Sequence, residues 1–142
     1  MTLIKLDLDG KNSLDEFISR IWILKGFGLN PSKVAVYETK FGYHVYLSTK
    51  IKLEPTELLF IQICLGSDYR KELFGFLRLK RGYINPNDWN VLFKQKNKIV
   101  TPELNVIKSE ETHRGDLSKL IANRIESGVR RKGYEINWEV ID

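Results

Sequence analysis

Hydrophobic and polar residues alternate strictly from residue 4 to residue 9 in the first run of the chain, which predicts a β-strand over residues 3–9 that Gly10 ends. Because successive strand residues point to opposite faces, Ile4, Leu6 and Leu8 should lie on one face of this strand. Asp7 and Asp9 should then project together from the other face. One face of the predicted strand is therefore apolar and the other is acidic.

The same reading of hydrophobic spacing predicts the elements that follow. In chain order they are a helix near 14–25, strands at 33–38 and 43–48, helices at 55–65 and 68–80, and a strand at 89–94. Ser13 and Glu16 fit a capping box at the start of the first helix. Gly66 suits the end of the second helix, and Ser67 or Asp68 could cap the third. The order is that of the split β-α-β plan.

This order predicts an α+β protein with a ferredoxin-like (β-α-β-β-α-β) antiparallel sheet, strand order 4-1-3-2, and helices on one face. The helical face should bury the apolar strand residues Ile4, Leu6, Leu8, Val45 and Leu47. The other face should be open and should bring together Asp7, Asp9, His44 and Tyr46. Residues 1–98 are predicted to form the core. Residues 99–142 are predicted to form an extension packed on the same domain, with a helix at 117–127 and a strand at 134–140.

The composition narrows the class of protein. With 142 residues the chain has the size of one domain, and Cys64 is its only cysteine, so no internal disulfide can form. The longest apolar run, at 58–65, is far shorter than a membrane span, and the N-terminal residues lack the pattern of a signal peptide. These features predict a soluble cytoplasmic protein without a membrane partner.

Positive charge is concentrated in the middle of the chain. The net charge is +5, and residues 70–98 hold eight Lys or Arg against two Asp or Glu. The cations are Arg70, Lys71, Arg78, Lys80, Arg81, Lys94, Lys96 and Lys98. Such a segment is suited to a phosphate backbone, so nucleic acid is the expected partner. The alternative is a solvated lysine-rich face with no ligand.

The candidate chemistry lies on the predicted open face. Two carboxylates on one strand face, Asp7 and Asp9, suit Mg²⁺ or Mn²⁺, although Asp9 before Gly10 is also ordinary turn chemistry. His44 could contact a nucleotide or a metal, or could be a partly buried polar residue. Tyr46 is the aromatic residue best placed to stack with a base.

Three motifs together carry a family resemblance. Asp7-x-Asp9 on the first strand, residues 42–46 (Gly-Tyr-His-Val-Tyr) on the third, and residues 66–70 (Gly-Ser-Asp-x-Arg) before a basic helix resemble the palm of archaeo-eukaryotic primases and primase-polymerases. The resemblance implies nucleotidyl transfer, with Asp7 and Asp9 as metal ligands and His44 contacting the incoming nucleotide. A third carboxylate, which the family has on a later strand, has no clear equivalent in the sequence.

Three hypotheses follow. The first is a nucleic-acid-binding protein, acting in replication of a mobile genetic element, that uses Tyr46 on the sheet face and the cations of residues 70–98. The second is a metal-dependent nucleotidyltransferase with Asp7, Asp9 and His44 in its site. The third is a non-enzymatic module that forms oligomers. The sequence does not choose between DNA and RNA.

Overall fold

The computed structural model of the protein describes residues 1–92 and 111–126. Its strands are Thr2–Asp9 (β1), Lys33–Glu38 (β2), Gly42–Thr49 (β3) and Thr112–His113 (β4), and they form one antiparallel sheet in the order β1-β3-β2-β4. The helices are Ser13–Arg20 (α1), Trp22–Gly26 (α2), Pro55–Cys64 (α3), Tyr69–Lys80 (α4), Pro86–Trp89 (α5) and Gly115–Glu126 (α6). The fold is α+β, as predicted.

The hairpin of β2 and β3 forms where the alternating pattern predicts it. Gly42, the first residue of β3, lies directly opposite Asp9 at the end of β1. A Cβ atom at this position would lie 1.9 Å from the carbonyl oxygen of Leu8. Glycine is therefore required here, because it lets the backbones of β1 and β3 approach closely.

The first predicted helix is divided into two. α1 and α2 meet at Ile21, and the N-cap of α1 is Asn12 instead of the predicted Ser13. The Ser13 hydroxyl donates to the carbonyl of Gly10, 2.7 Å away, so it closes the turn after β1. The predicted capping box is therefore absent, although the helix begins in the expected place.

One hydrophobic core lies between the sheet and the helices. The five strand residues predicted to face the helices are each 0% exposed, as expected: Ile4, Leu6, Leu8, Val45 and Leu47. Phe17 of α1 and Ile61 of α3 pack in the same cluster. Ile121 and Ile125 of α6 also belong to it, and α6 packs against β2. None of the described helices is long and apolar enough to cross a bilayer.

The predicted strand at 89–94 is wrong in the part that the structure describes. Trp89 is the last residue of the short helix α5, and Asn90 to Leu92 are not in a strand. The Asn90 side chain is 1% exposed and its amide faces the carbonyl of Leu3 at 3.4 Å. The tertiary contacts of this side chain override the local β-propensity. Residues 93 and 94 lie outside the described part.

The outer edge of β1, where the prediction places a fourth strand, is covered by side chains. The Lys5 N–H donates to Gln62 Oε1 at 3.0 Å, and the Asp7 N–H donates to Ser67 Oγ at 3.0 Å. The Asp68 N–H donates to the carbonyl oxygen of Asp7 at 2.7 Å. These bonds satisfy backbone groups that a neighbouring strand would otherwise pair, so this edge is protected from adding another strand.

The edge of β2 is covered by the segment before and within α6. β4 pairs with Tyr37 and Glu38, while the Val36 N–H donates to Ser118 Oγ at 2.9 Å. The Arg114 N–H donates to the carbonyl of Val36 at 2.8 Å. The predicted helix at 117–127 is therefore present as α6, and it closes the second edge. The predicted strand at 134–140 lies outside the described residues.

Candidate functional site

Asp7 and His44 meet on the sheet as the predicted strand pairing requires. They are directly opposite each other in the register of β1 and β3, and Asp7 Oδ1 lies 3.6 Å from His44 Nε2. A second carboxylate reaches the other ring nitrogen, since Glu111 Oε2 lies 3.2 Å from His44 Nδ1. We refer to these three residues as the His44 cluster. Glu111 is thus a second carboxylate beside His44.

The His44 cluster is buried, contrary to the expectation of an open face. Asp7 is 2% exposed and His44 is 1% exposed, and the Glu111 side chain is 6% exposed. The expectation failed because Glu111 comes from the segment before β4, which the alternating pattern does not connect with this face. A substrate cannot reach His44 without displacing what covers it.

The arrangement does not fit a metal centre. The two carboxylates of the His44 cluster lie at opposite nitrogens of one ring, and the lone pairs of those nitrogens point in different directions, so the three side chains do not converge on one point. The carboxylate of Asp9 is bonded elsewhere, with its Oδ2 atom 3.2 Å from Arg70 Nη2. Residues 1–92 and 111–126 contain no group of three or more His, Cys, Asp or Glu side chains that could hold a metal ion.

Tyr46 is occupied within the sheet and is not a free stacking platform. Its hydroxyl donates to Glu111 at 3.3 Å, and its ring packs edge-on against Tyr37 with centroids 5.5 Å apart. Burial, together with the charge of Glu111, raises the pKa of the Tyr46 phenol well above its usual value. The hydroxyl is therefore a stable donor that helps to hold the Glu111 carboxylate beside His44.

Arg70 links two carboxylates at the beginning of α4. Its guanidinium contacts Asp68 and Asp9 at 3.2 Å each, and its side chain is 58% exposed. Asp68, one of the two predicted caps, is the N-cap of α4, and it accepts from the Arg70 N–H. The hydrogen bond to Asp68 raises the pKa of Arg70. Arg70 thus compensates the charge of Asp9. From the sequence, Asp9 was predicted to be a metal ligand.

Lys71, predicted to contact nucleic acid, is buried instead. It is 3% exposed, and its ammonium lies 2.8 Å from Glu72 Oε1 and 2.9 Å from Asn90 Oδ1. Gln62 Nε2 also donates to Glu72, at 2.6 Å, and to Asn90, at 3.0 Å. These four residues form what we call the α4 network. The prediction was wrong because it counted charge along the chain, whereas α4 turns this lysine inward.

Burial disfavours the charged forms of both Lys71 and Glu72 in the α4 network. Burial lowers the pKa of the Lys71 ammonium, and the neighbouring Glu72 carboxylate partly counteracts the effect. Burial likewise raises the pKa of the Glu72 carboxyl, and Lys71 and the amide of Gln62 are among the groups that counteract it. Each charge is tolerated because the other is present, which makes the pair sensitive to removal of either member.

The remaining predicted cations divide by exposure. Lys80 and Arg81 are exposed and form no ion pair within the described residues. Arg78 is half-buried, with its Nη1 donating to the Trp89 carbonyl at 3.5 Å. We call Arg78, Lys80 and Arg81 the basic end of α4. Lys94, Lys96 and Lys98 lie outside the described residues.

Two features of the structure were not predicted from the sequence. Glu111 is 67 positions from His44, and no spacing rule connects the two residues. The outward apolar side chains of α4 were also missed, although helical spacing of Tyr69, Leu73, Phe76 and Leu77 is visible in the sequence. That spacing is typical of a buried face, so it would have indicated the wrong side of the helix.

Comparisons of this chain with models of protein families, with curated proteins and with solved structures gave no match. Its function is therefore argued from the geometry of its own residues.

Proposed function

We propose that the protein binds single-stranded nucleic acid through the basic end of α4 and the loop that follows it. The observation that carries this proposal is the exposure of Lys80 and Arg81 next to exposed aromatic rings. Phe76 is 41% exposed and Tyr83 is 49% exposed. Lys80 Nζ lies 5.7 Å from the centre of the Phe76 ring. Cations would bind phosphates, and aromatic rings would stack with unpaired bases.

The proposal moves the interface from the sheet to the helix. Tyr46 and Lys71 are excluded from the predicted contacts with nucleic acid, because their polar groups already bind Glu111 and the α4 network. Arg70 is shared between two carboxylates, so a phosphate would have to compete with them. What remains is a short cationic surface, and its few phosphate contacts predict weak binding with a shallow dependence on salt.

Two finer proposals concern ancestry. We infer that the fold is ferredoxin-like and related to primase palms, with a role in replication of a mobile genetic element. The order β1-α1-β2-β3-α3 and the antiparallel neighbours β1-β3-β2 support this, as does the pairing of Asp7 with His44. The side chains along the outer edge of β1 would then stand where relatives have a fourth strand.

The proposed function is tested by fluorescence anisotropy with labelled single-stranded DNA and RNA over a range of salt concentrations. The double variant Lys80→Ala/Arg81→Ala should bind more weakly than the wild type. Its slope of log affinity against log salt should be shallower by about 1.4, because each of the two lost phosphate contacts removes about 0.7 from the slope for single strands. The matched control is Lys50→Ala/Lys52→Ala, which removes two exposed lysines from another loop. Equal affinities for the wild type and the Lys80/Arg81 variant would refute the proposal.

Metal-dependent nucleotidyl transfer is the second proposal, and Glu111 is the observation that favours it. This residue brings a second carboxylate, beside that of Asp7, to His44. The divergent geometry of the His44 cluster and the bond from Asp9 to Arg70 make it the weaker candidate. Its test is nucleotide incorporation with Mg²⁺ or Mn²⁺ by the wild type and by Asp7→Asn, and identical traces for the two proteins would end it.

A further inference from the structure

Ile84 is unusually exposed for a large apolar side chain. It is 88% exposed, and among the residues that the structure describes only Met1 reaches the same value. A single exposed apolar residue is ordinary on a protein surface and needs no explanation by itself. Ile84 differs because it lies in a fixed turn, directly after Tyr83 and three residues after Arg81. We refer to residues 82–85 as the α4–α5 turn.

Backbone hydrogen bonds fix the beginning of the α4–α5 turn. The Gly82 N–H donates to the Leu79 carbonyl at 3.0 Å, and the Tyr83 N–H donates to the Arg78 carbonyl at 3.2 Å. These two bonds form a Schellman motif, and Gly82 has the positive φ, 95°, that this motif requires. The chain therefore leaves α4 in a defined direction.

The start of α5 fixes the other end of the turn. Asn85 is the N-cap of α5, its side chain accepts a backbone N–H of the helix at 3.0 Å, and Pro86 occupies the first helical position. Trp89, the last residue of α5, is 1% exposed and belongs to the hydrophobic core. Two residues, Tyr83 and Ile84, lie between the anchored ends. A turn held in this way loses little conformational entropy when it binds a ligand.

The charges beside Ile84 favour a phosphate-bearing ligand. Lys80 and Arg81 directly precede the turn, and Asp88 is the one acid among residues 80–88, so this segment carries a net positive charge. Along the backbone, Arg81 and Ile84 are at most about 11 Å apart, which is the rise of about three stacked nucleotides. One strand of nucleic acid can therefore contact the cations with its phosphates and Ile84 with its bases.

Tyr83 and Ile84 would act differently on a stack of bases. Tyr83 is 49% exposed, and its flat ring can stack on the face of a base. Ile84 is branched and has no flat face. Exposed aliphatic side chains of this kind enter between neighbouring bases as wedges and separate them.

We propose that Ile84 is a wedge that opens one base step of the bound strand, while Tyr83 stacks on one of the two separated bases. This inference rests on the proposed function, and it names the strands that the site selects. Opening a step removes the stacking between two bases, and adenines stack more strongly than thymines. The site should therefore prefer weakly stacked pyrimidine strands to strongly stacked adenine strands.

The first test compares the affinities for oligo(dT) and oligo(dA) of about 12 nucleotides by fluorescence anisotropy at one salt concentration. The wild type should bind oligo(dT) about ten-fold more tightly, which is about 1.4 kcal/mol and matches the average stacking free energy of one base step in DNA. Ile84→Ser should reduce the preference to less than about three-fold, because the remaining stacking on Tyr83 tolerates any base. Its salt dependence should equal that of the wild type, since Lys80 and Arg81 are unchanged.

Ile51→Ser is the matched control. It removes an isoleucine that is 45% exposed in another loop, and it should keep the preference of the wild type. Equal affinities of the wild type for the two strands would overturn the inference. The double variant Lys80→Ala/Arg81→Ala separates this failure from that of the proposed function. If it binds both strands more weakly than the wild type, the proposed function stands without the wedge; if it does not, both are refuted.

Vesicles test the other surface that cations beside an apolar side chain would suit, which is an anionic membrane. The probe is a vesicle of phosphatidylserine and phosphatidylcholine, and the wild type and Ile84→Ser should both remain in solution when the vesicles are sedimented. Binding of the wild type that is lost in Ile84→Ser would assign Ile84 to a membrane surface and overturn the inference.

Circular dichroism of oligo(dA) tests the wedge itself, because the near-ultraviolet band of this strand reports its base stacking. After subtraction of the protein spectrum, saturation with the wild type should weaken this band. Saturation with Ile84→Ser should leave the band closer to that of the free strand. Ile84 is exposed, so the far-ultraviolet spectrum of the variant should show an unchanged fold. A band that the wild type leaves unchanged would overturn the inference.

Discussion

Replacing Lys71 by methionine tests the reasoning about α4 most directly. Methionine keeps most of the volume of the lysine stem but removes the ammonium that lies 2.8 Å from Glu72 and 2.9 Å from Asn90. Glu72 is 2% exposed, so its carboxylate would remain buried without a counter-charge. Breaking a buried ion pair in this way costs about 3–5 kcal/mol. For a chain of this length, that loss lowers Tm by about 10–20 °C.

The assay is urea unfolding followed by circular dichroism, with the free energy of unfolding extrapolated to water. Lys80→Met is the matched control, because it removes an exposed lysine from the same helix and should cost less than about 1 kcal/mol. The double variant Lys71→Met/Glu72→Leu should be more stable than Lys71→Met alone. In it Gln62 and Asn90 keep their two mutual hydrogen bonds of 3.0 Å.

The pH dependence of Lys71→Met has a definite sign. Burial already raises the pKa of Glu72 above its ordinary value of 4.5, and Lys71 is the first of the groups that lower it. Without Lys71 the folded-state pKa rises further above the unfolded value. The folded state then binds a proton more readily than the unfolded state, so the variant regains stability relative to the wild type as pH falls toward 4.5. A deficit that is smaller than about 1 kcal/mol at pH 7, or that grows as pH falls from 7 to 5, would refute the buried pair.

Two further substitutions test the sheet. Gly42→Ala should cost at least about 3 kcal/mol in urea unfolding, because the new Cβ atom would clash with the Leu8 carbonyl. The control is Gly82→Ala, whose Cβ atom would meet no atom within 4 Å. This control should cost only about 1–2 kcal/mol, because Gly82 has a positive φ of 95°. Tyr46→Phe should cost about 1 kcal/mol for the lost bond to Glu111. Around pH 10, the variant should gain the same phenolate absorbance as the wild type, because the raised pKa of Tyr46 keeps this phenol protonated at that pH. A smaller gain in the variant would show that Tyr46 titrates normally.

The sheet face could be predicted because strand alternation is a local rule. Once residues 3–9 and 43–48 are strands in a common sheet, the apolar residues Ile4 and Val45 must share the buried face, and Asp7 and His44 must share the other. The turn between β2 and β3 and the Asp68 cap of α4 follow from equally local chemistry. These features depend only on residues that are neighbours in the sequence, so they can be predicted from it.

The burial of the site could not be predicted in the same way. Whether His44 is open or covered depends on Glu111, whose approach is set by the packing of α6 against β2. The conformation of Asn90 was predicted wrongly for a similar reason. Its neighbours favour a strand, but its side chain completes the α4 network between Gln62 and Lys71. Contacts between distant segments decide both cases, and hydrophobic periodicity does not report them.

Helix α4 shows how a buried polar cluster can determine where a protein exposes apolar surface. The helix has two candidate inner sides, one with Lys71 and Glu72 and one with Leu73 and Leu77. Burying the apolar side would gain roughly 1.5–3 kcal/mol for each large side chain. Yet the polar side is inside, because Gln62 already bonds the edge of β1 and needs partners for its amide group. The edge of the sheet therefore fixes the orientation of α4 and leaves the apolar stripe on the outward side of the helix.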